Sequence, residues 1–240
     1  GRVRVDNTHT KYEQKLYASS NLTITEESTQ GHYTISKPDE TQTYADVLAN
    51  INKRFNDFSL VANVGASIVN NRYEDLSYRG PIREKGIPNV FNVFDLDNTK
   101  KKARQDEWQE QTQSVFASVE VGWKSMLYLT LTGRNDWASQ LANSSTPCFF
   151  YPSVGLSGVI SEMLTLPEFI DYMKVRGSFS SVGMPYPRNL TSPTYEYDEA
   201  NQQWKPKTHY PIKDLKPERT NSWELGLDMR LFKDFSLGFS

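Results

Sequence analysis

The stretch "LYLTLTGRND", residues 127–136, decides the fold. Leu127, Leu129 and Leu131 alternate with Tyr128, Thr130 and Thr132, and the polar side of the alternation goes on to Arg134 and Asp136. Successive side chains of a strand point to opposite faces, so a period of two makes one face apolar and the other polar. The segment therefore reads as a strand whose polar face ends in charges. Three kinds of water could meet that face: the outside of a soluble sandwich, the lumen of a membrane barrel, or an active site.

The same period recurs along the chain. Residues 44–55 place Ala45, Val47, Ala49 and Ile51 on one side, and residues 58–70 place Leu60, Ala62, Val64, Ala66 and Ile68 there. Residues 113–123 repeat it with Val115, Ala117, Val119, Val121 and Trp123. Shorter runs surround Val154 and Leu156, and Val175 and Phe179. Residues 222–231 set Trp223, Leu225, Leu227, Met229 and Leu231 against Ser222, Glu224, Gly226, Asp228 and Arg230. A weaker strand is predicted near residues 2–19, and a last one begins at Phe235. The fold class is all-β, with antiparallel up-and-down strands.

Composition agrees. Only 37% of the 240 residues are hydrophobic while 12% are aromatic, which suits strands that are apolar on one face. The net charge of -2 argues against a nucleic-acid binder acting through overall positive charge. No run of about 18 apolar residues exists to span a membrane as a helix, a test that barrel strands escape. The single cysteine, Cys148, excludes an internal disulfide framework. The start "GRVRVDNTHT" has no signal-peptide core and the end "FKDFSLGFS" stops inside an alternating run, so both ends are expected to be truncated.

Connections alternate in length. They are short at 56–57, 124–125 and 233–234, and long at 20–43, 71–112, 138–150 and 184–220; the link at 162–171 sits on the short side with room for a helical turn. Tight turns at one end and long loops at the other are the pattern of a transmembrane β-barrel. Predicted strands of about 10 to 14 residues exceed the usual soluble ~5–6 and match the ~9–11 of a tilted span. Phe55, Phe58, Trp123, Tyr128, Phe232 and Phe235 flank the short turns, where a membrane interface favours aromatic rings. A soluble β-sandwich that binds carbohydrate or mediates adhesion also alternates and stays open at this level.

Four segments carry a more specific likeness: "QSVFASVEVGWKSMLYLTLTGRNDWASQL" (113–141), "FYPSVGLSGVISE" (150–162), "MKVRGSFSSVG" (173–183) and "LKPERTNSWELGLDMRLFKDFSLGFS" (215–240). In order and spacing they resemble the barrel of SusC/RagA-type TonB-linked outer-membrane proteins of Bacteroidetes, over roughly residues 41–240. The resemblance implies a partial barrel domain over 1–240, without the plug, supplying about eight to nine strands of a 22-stranded barrel. It implies a bacterial outer-membrane location and import of glycans or peptides. It further implies a SusD-like surface lipoprotein as partner, TonB acting through an N-terminal part not present here, and outer-membrane lipid around the barrel.

On that reading Glu120, Arg134, Asp136, Lys174, Arg176, Glu224, Asp228 and Arg230 are candidates to line the lumen, since all fall opposite the leucines. A charge facing lipid near the midplane would cost ~2–4 kcal/mol. Ligand or partner contact is expected from the extracellular loops, where Tyr186, Tyr195, Tyr197, Trp204 and Tyr210 form an aromatic-rich stretch. The run Lys100 to Lys102 is followed at once by Arg104, Asp106 and Glu107, which reads as a solvated loop rather than a nucleic-acid patch. His9, His32 and His209 are scattered, and Asp39 and Glu40 read as a turn after Pro38. No catalytic, metal or cofactor motif appears, so neither an enzymatic role nor a cofactor is expected.

Overall fold

Alternation of β-branched and aromatic residues with small polar ones gives a chain whose described residues are mostly strand. A computed structural model describes residues 1–184, 187, 188, 190, 195–198, 201–206 and 218–240. In chain order the strands are β1 (Arg2–His9), β2 (Tyr12–Leu16), β3 (His32–Phe55), β4 (Phe58–Pro81), β5 (Lys102–Trp123), β6 (Leu127–Ala138), β7 (Phe149–Val159), β8 (Ile170–Met184), β9 (Tyr195–Asp198), β10 (Gln203–Pro206), β11 (Glu218–Leu231) and β12 (Phe235–Phe239). One sheet has the order β1-β3-β4-β5-β6-β7-β8-β11-β12, with β2 also paired to β3; β9 and β10 form a separate hairpin. A helical turn, α1 (Ile160–Met163), falls in the link where the sequence left room for one.

The chain divides into two compact units, and the first comprises Gly1–Arg2, Ala45–Ile68 and Gln111–Ser240. Its ladders are antiparallel, and their register is continuous apart from a shift between Arg230 and Leu231 where β11 meets β8. Val119, Leu131, Val154, Phe179 and Trp223 stand side by side across five strands, as do Val121, Leu129, Leu156, Gly177 and Leu225. The intervening rows are polar: Ser118, Thr132, Ser153, Ser180 and Ser222 form one, and Glu120, Thr130, Gly155, Ser178 and Glu224 another. One face is thus apolar from strand to strand, and it stands open, with Trp223 and Leu225 each 80% exposed. A small core of Ala138, Leu141 and Phe149, with Tyr151 against it, anchors the β6–β7 connection.

Tight turns close three hairpins of this unit. Lys124 and Ser125 both have positive φ, 51° and 59°, and the Met126 N–H donates to the Trp123 carbonyl at 2.9 Å, which makes them the left-handed centre of a three-residue connection with Trp123 opposite Leu127. Phe232 and Lys233 repeat the geometry with φ of 51° and 65°. Exposed rings of Phe55, Phe58, Trp123, Phe232 and Phe235 surround these turns.

The second unit comprises Val3–Tyr44 and Val69–Glu110. Residues 17–31 and 82–101 fold against each other there around buried Thr25, Tyr33, Ile82 and Leu96. The Ser28 hydroxyl donates to the Ile82 carbonyl at 2.8 Å, and Tyr17 meets Phe91 edge to face at 5.2 Å. Gly31 is required at its turn: φ is 111°, and a Cβ would lie 2.6 Å from the Leu16 carbonyl oxygen.

Two loop boundaries differ from the sequence reading. The connections expected at 20–43 and 71–112 shrink, because β3 starts at His32, β4 runs to Pro81 and β5 starts at Lys102. Residues 32–43, 71–81 and 102–112 are mostly polar with isolated apolar residues such as Tyr33, Tyr73 and Trp108, so their strands carry no sustained hydrophobic alternation to read. Asp39 and Glu40 accordingly lie in a strand, and the Pro38 carbonyl accepts from the Thr10 N–H at 3.0 Å. The weak first strand resolves into β1 and β2, and β11 starts at Glu218 inside the expected fourth loop.

Two outcomes follow from these turns and cores. Ser125→Gly relieves a left-handed residue and should raise the stability of the full-length protein by about 1 kcal/mol in urea unfolding from micelles. His32 is buried, with its Nε2 3.6 Å from the Glu26 carboxylate. Burial pushes its pKa below the ordinary histidine value, with Arg79 adding to the fall and Glu26 opposing both. A lowered folded-state pKa means that protonation favours the unfolded chain, so stability present above the ordinary value of about 6.5 is lost as pH falls below it. Amide protection factors around Ile82 and Leu96 should drop between pH 8 and pH 5, and His32→Leu should flatten that drop.

Candidate functional site

The charged candidates of the first unit share the face of the serine rows. Arg134 and Asp136 lie two residues apart on β6, so their side chains project together, and Arg134 Nε donates to Asp136 Oδ1 at 2.6 Å. Arg134 Nη2 donates to the hydroxyl of buried Ser114 at 2.9 Å across the ladder. Glu120 accepts from the Thr130 hydroxyl at 3.3 Å, its register partner.

A second group lies on β8 and β11. Arg176 bridges Glu224 at 3.4 Å and Asp228 at 3.5 Å. Gly226 stands opposite Arg176 and makes room for it, since a Cβ there would come within 2.8 Å of Arg176 Cγ. Lys174 is the register partner of Asp228, and Arg230 stands opposite Ser236 and Tyr172.

These groups do not form one centre. Arg176 belongs to the row of Tyr128 and Arg134 stands six residues further along β6, roughly 20 Å at the rise of an extended chain. The arrangement is a wall with spaced, mostly self-compensated charges. Among the described residues no three metal-ligating side chains come together.

Of the loop aromatics, Tyr197 and Trp204 face each other across the β9–β10 hairpin with ring centroids 5.2 Å apart. Tyr195 and Trp204 are exposed. Tyr186 and Tyr210 lie outside the described residues.

The second unit holds a feature that hydrophobic alternation could not announce. A concavity of ≈ 480 Å³ is bordered by Arg4, Asp6, Glu40, Gln42, Asn71 and Trp108 among others. Trp108 stacks on Tyr73 at 5.4 Å and 13° between planes. The signal for it was the interleaving of arginine, carboxylate and aromatic residues in the weak first strand and in the stretches 20–43 and 71–112 read as loop.

An outward-facing apolar sheet of long antiparallel strands, backed by spaced charges, is the wall of a membrane barrel. The sequence matches the model of the TonB dependent receptor-like, beta-barrel family over residues 2–240, and the chain belongs to that family. Solved structures with the same fold include the RagAB peptide importer in its 'open-open' state, at TM-score 0.74 and 16% identity over 97% of this chain. The RagAB peptide transporter gives a TM-score of 0.75 and 16% identity over 96%. The importer in its 'closed-closed' state gives 0.69 and 14% over 96%. This chain spans about a quarter of each, with 25% to 26% of the longer chain covered. No curated protein matches the sequence.

The two charge groups should respond differently to truncation. Asp136 is only 14% exposed in its side chain and Ser114 is buried, so Arg134→Met leaves two enclosed acceptors unpaired and should cost about 1–3 kcal/mol. Arg176, Glu224 and Asp228 are more open, so Arg176→Met should cost less than about 1 kcal/mol. Urea unfolding of the full-length protein in micelles measures both, and the reverse order would contradict this account.

Proposed function

We propose that this chain forms part of the wall of a bacterial outer-membrane importer energised through TonB. Its apolar face meets lipid, and its polar face lines the water-filled interior. The observation that carries this reading is the register of β5, β6, β7, β8 and β11, which keeps every apolar row on one exposed face and every candidate charge on the other. In a barrel wall that separation is obligatory, because a charge on the lipid face costs ~2–4 kcal/mol near the midplane. Glu120, Arg134, Asp136, Lys174, Arg176, Glu224, Asp228 and Arg230 then border the path of the cargo. The aromatic hairpin of Tyr195, Tyr197 and Trp204 lies in an extracellular loop, placed to meet cargo or a SusD-like lipoprotein.

The cargo we favour is oligopeptide rather than oligosaccharide, supported by the peptide importers among the solved structures of this fold. The interior charges are mixed in sign, as suits a passage for chains of varied composition. The residues act by solvating and orienting; no bond of the cargo need be broken.

Site-directed labelling tests the orientation. In intact cells making the full-length protein with Cys148→Ser, single cysteines at Leu129 and Leu227 should resist a membrane-impermeant maleimide, while one at Trp204 should react. Ready reaction at Leu129 and Leu227 in folded protein would exclude lipid contact. For cargo, deletion of the gene should abolish uptake of radiolabelled oligopeptides and leave oligosaccharide uptake unchanged.

A further inference from the structure

We propose that the concavity of the second unit is a subsite for a cationic group of the cargo, a lysine or arginine side chain of a peptide, held between carboxylates and the Trp108 indole. The proposal rests on the peptide-import reading above and specifies what this surface selects.

Three arginines of this unit are each matched by a carboxylate two residues further along the same strand: Arg4 with Asp6 at 2.6 Å, Arg104 with Asp106 at 2.6 Å, and Arg72 with Glu74. Residues at i and i+2 project from one face, so each strand neutralises its own arginine. Two acids are left over beside the aromatic pair. Glu40 borders the concavity and has no basic partner among the described residues. Asp75 is held by neutral donors, the Ser36 hydroxyl at 2.8 Å and the Lys37 backbone N–H at 3.1 Å, which fix its carboxylate without cancelling its charge.

The field at the stack records this excess. Burial raises the Tyr73 pKa first, and the charges of Asp75, Asp106 and Glu40 raise it further against the single opposing Arg104. An anionic surround at a ring pair is suited to a cation, because a ring face attracts positive charge and the carboxylates supply its counter-ion. The neighbouring amide groups sharpen the fit. Gln42 Nε2 donates to Asn71 Oδ1 at 2.9 Å, so this donor is already engaged and both residues border the same concavity, where an amide oxygen can accept from a guanidinium or ammonium. A volume of ≈ 480 Å³ is ample for one long side chain and its flanking peptide groups.

The test uses the purified full-length transporter in micelles and three dye-labelled hexapeptides of alanine carrying two lysines, two norleucines or two glutamates. Fluorescence anisotropy should show the lysine peptide binding ~10-fold more tightly than the glutamate peptide in low salt, a preference that shrinks in 0.5 M NaCl. Glu40→Gln, an exposed and nearly isosteric change, should bring the two within ~3-fold. Trp108→Leu should weaken the lysine peptide ~3- to 5-fold and leave the norleucine peptide unchanged. Equal binding of lysine and glutamate peptides, or a preference untouched by Glu40→Gln, would overturn the subsite while leaving peptide import standing. Binding of none of the three, together with normal peptide uptake by cells lacking the gene, would overturn both.

Discussion

Register is the constraint on which the first unit depends. Five strands present their side chains in shared rows, so a slip of one residue at any ladder would exchange a leucine row and a charged row between the two faces. The penalty falls on every residue of the slipped strand at once, which makes the alignment cooperative. The turns at Lys124–Ser125 and Phe232–Lys233 support the same alignment by fixing which residues stand opposite one another. That non-glycine residues hold left-handed backbone there shows how firmly the ladders impose the turn.

Polar groups follow from this frame. Once a face is committed to water, its charges can be satisfied along a strand or across it, and both are used. Arg134 reaches Asp136 on its own strand and Ser114 on the neighbour, while Arg176 crosses from β8 to two acids of β11 over the bare Gly226. The result is a wetted wall with few uncompensated charges.

Where one face is apolar, the strands were legible in the sequence: β6 and β11 are visible in their leucines, and the short turns lie where Asn56, Asp57, Lys124 and Ser125 suggested. What escaped were strands polar on both faces. Tyr33 to Thr43 and Lys102 to Thr112 contain no run of alternating apolar residues, because their apolar contacts come from isolated rings such as Tyr33 and Trp108 set among polar residues, and a loop looks the same by that measure. The wall charges could be placed on a face by parity alone, yet their division into two separated groups needed the register between strands. The Tyr73–Trp108 stack was invisible for a further reason: its partners are 35 residues apart in sequence and meet only through the β4–β5 pairing.

The pairing of arginine with an acid two residues on has a consequence for biogenesis. Arg4, Arg72, Arg104 and Arg134 each carry their counter-charge on the same strand, so the acid that neutralises them does not have to come from a neighbouring strand. In a barrel wall built strand by strand, a hairpin carrying its own counter-charges would meet an apolar phase with its guanidinium groups paired, at a lower cost than bare ones. A strand so equipped needs no partner strand to supply the opposite charge.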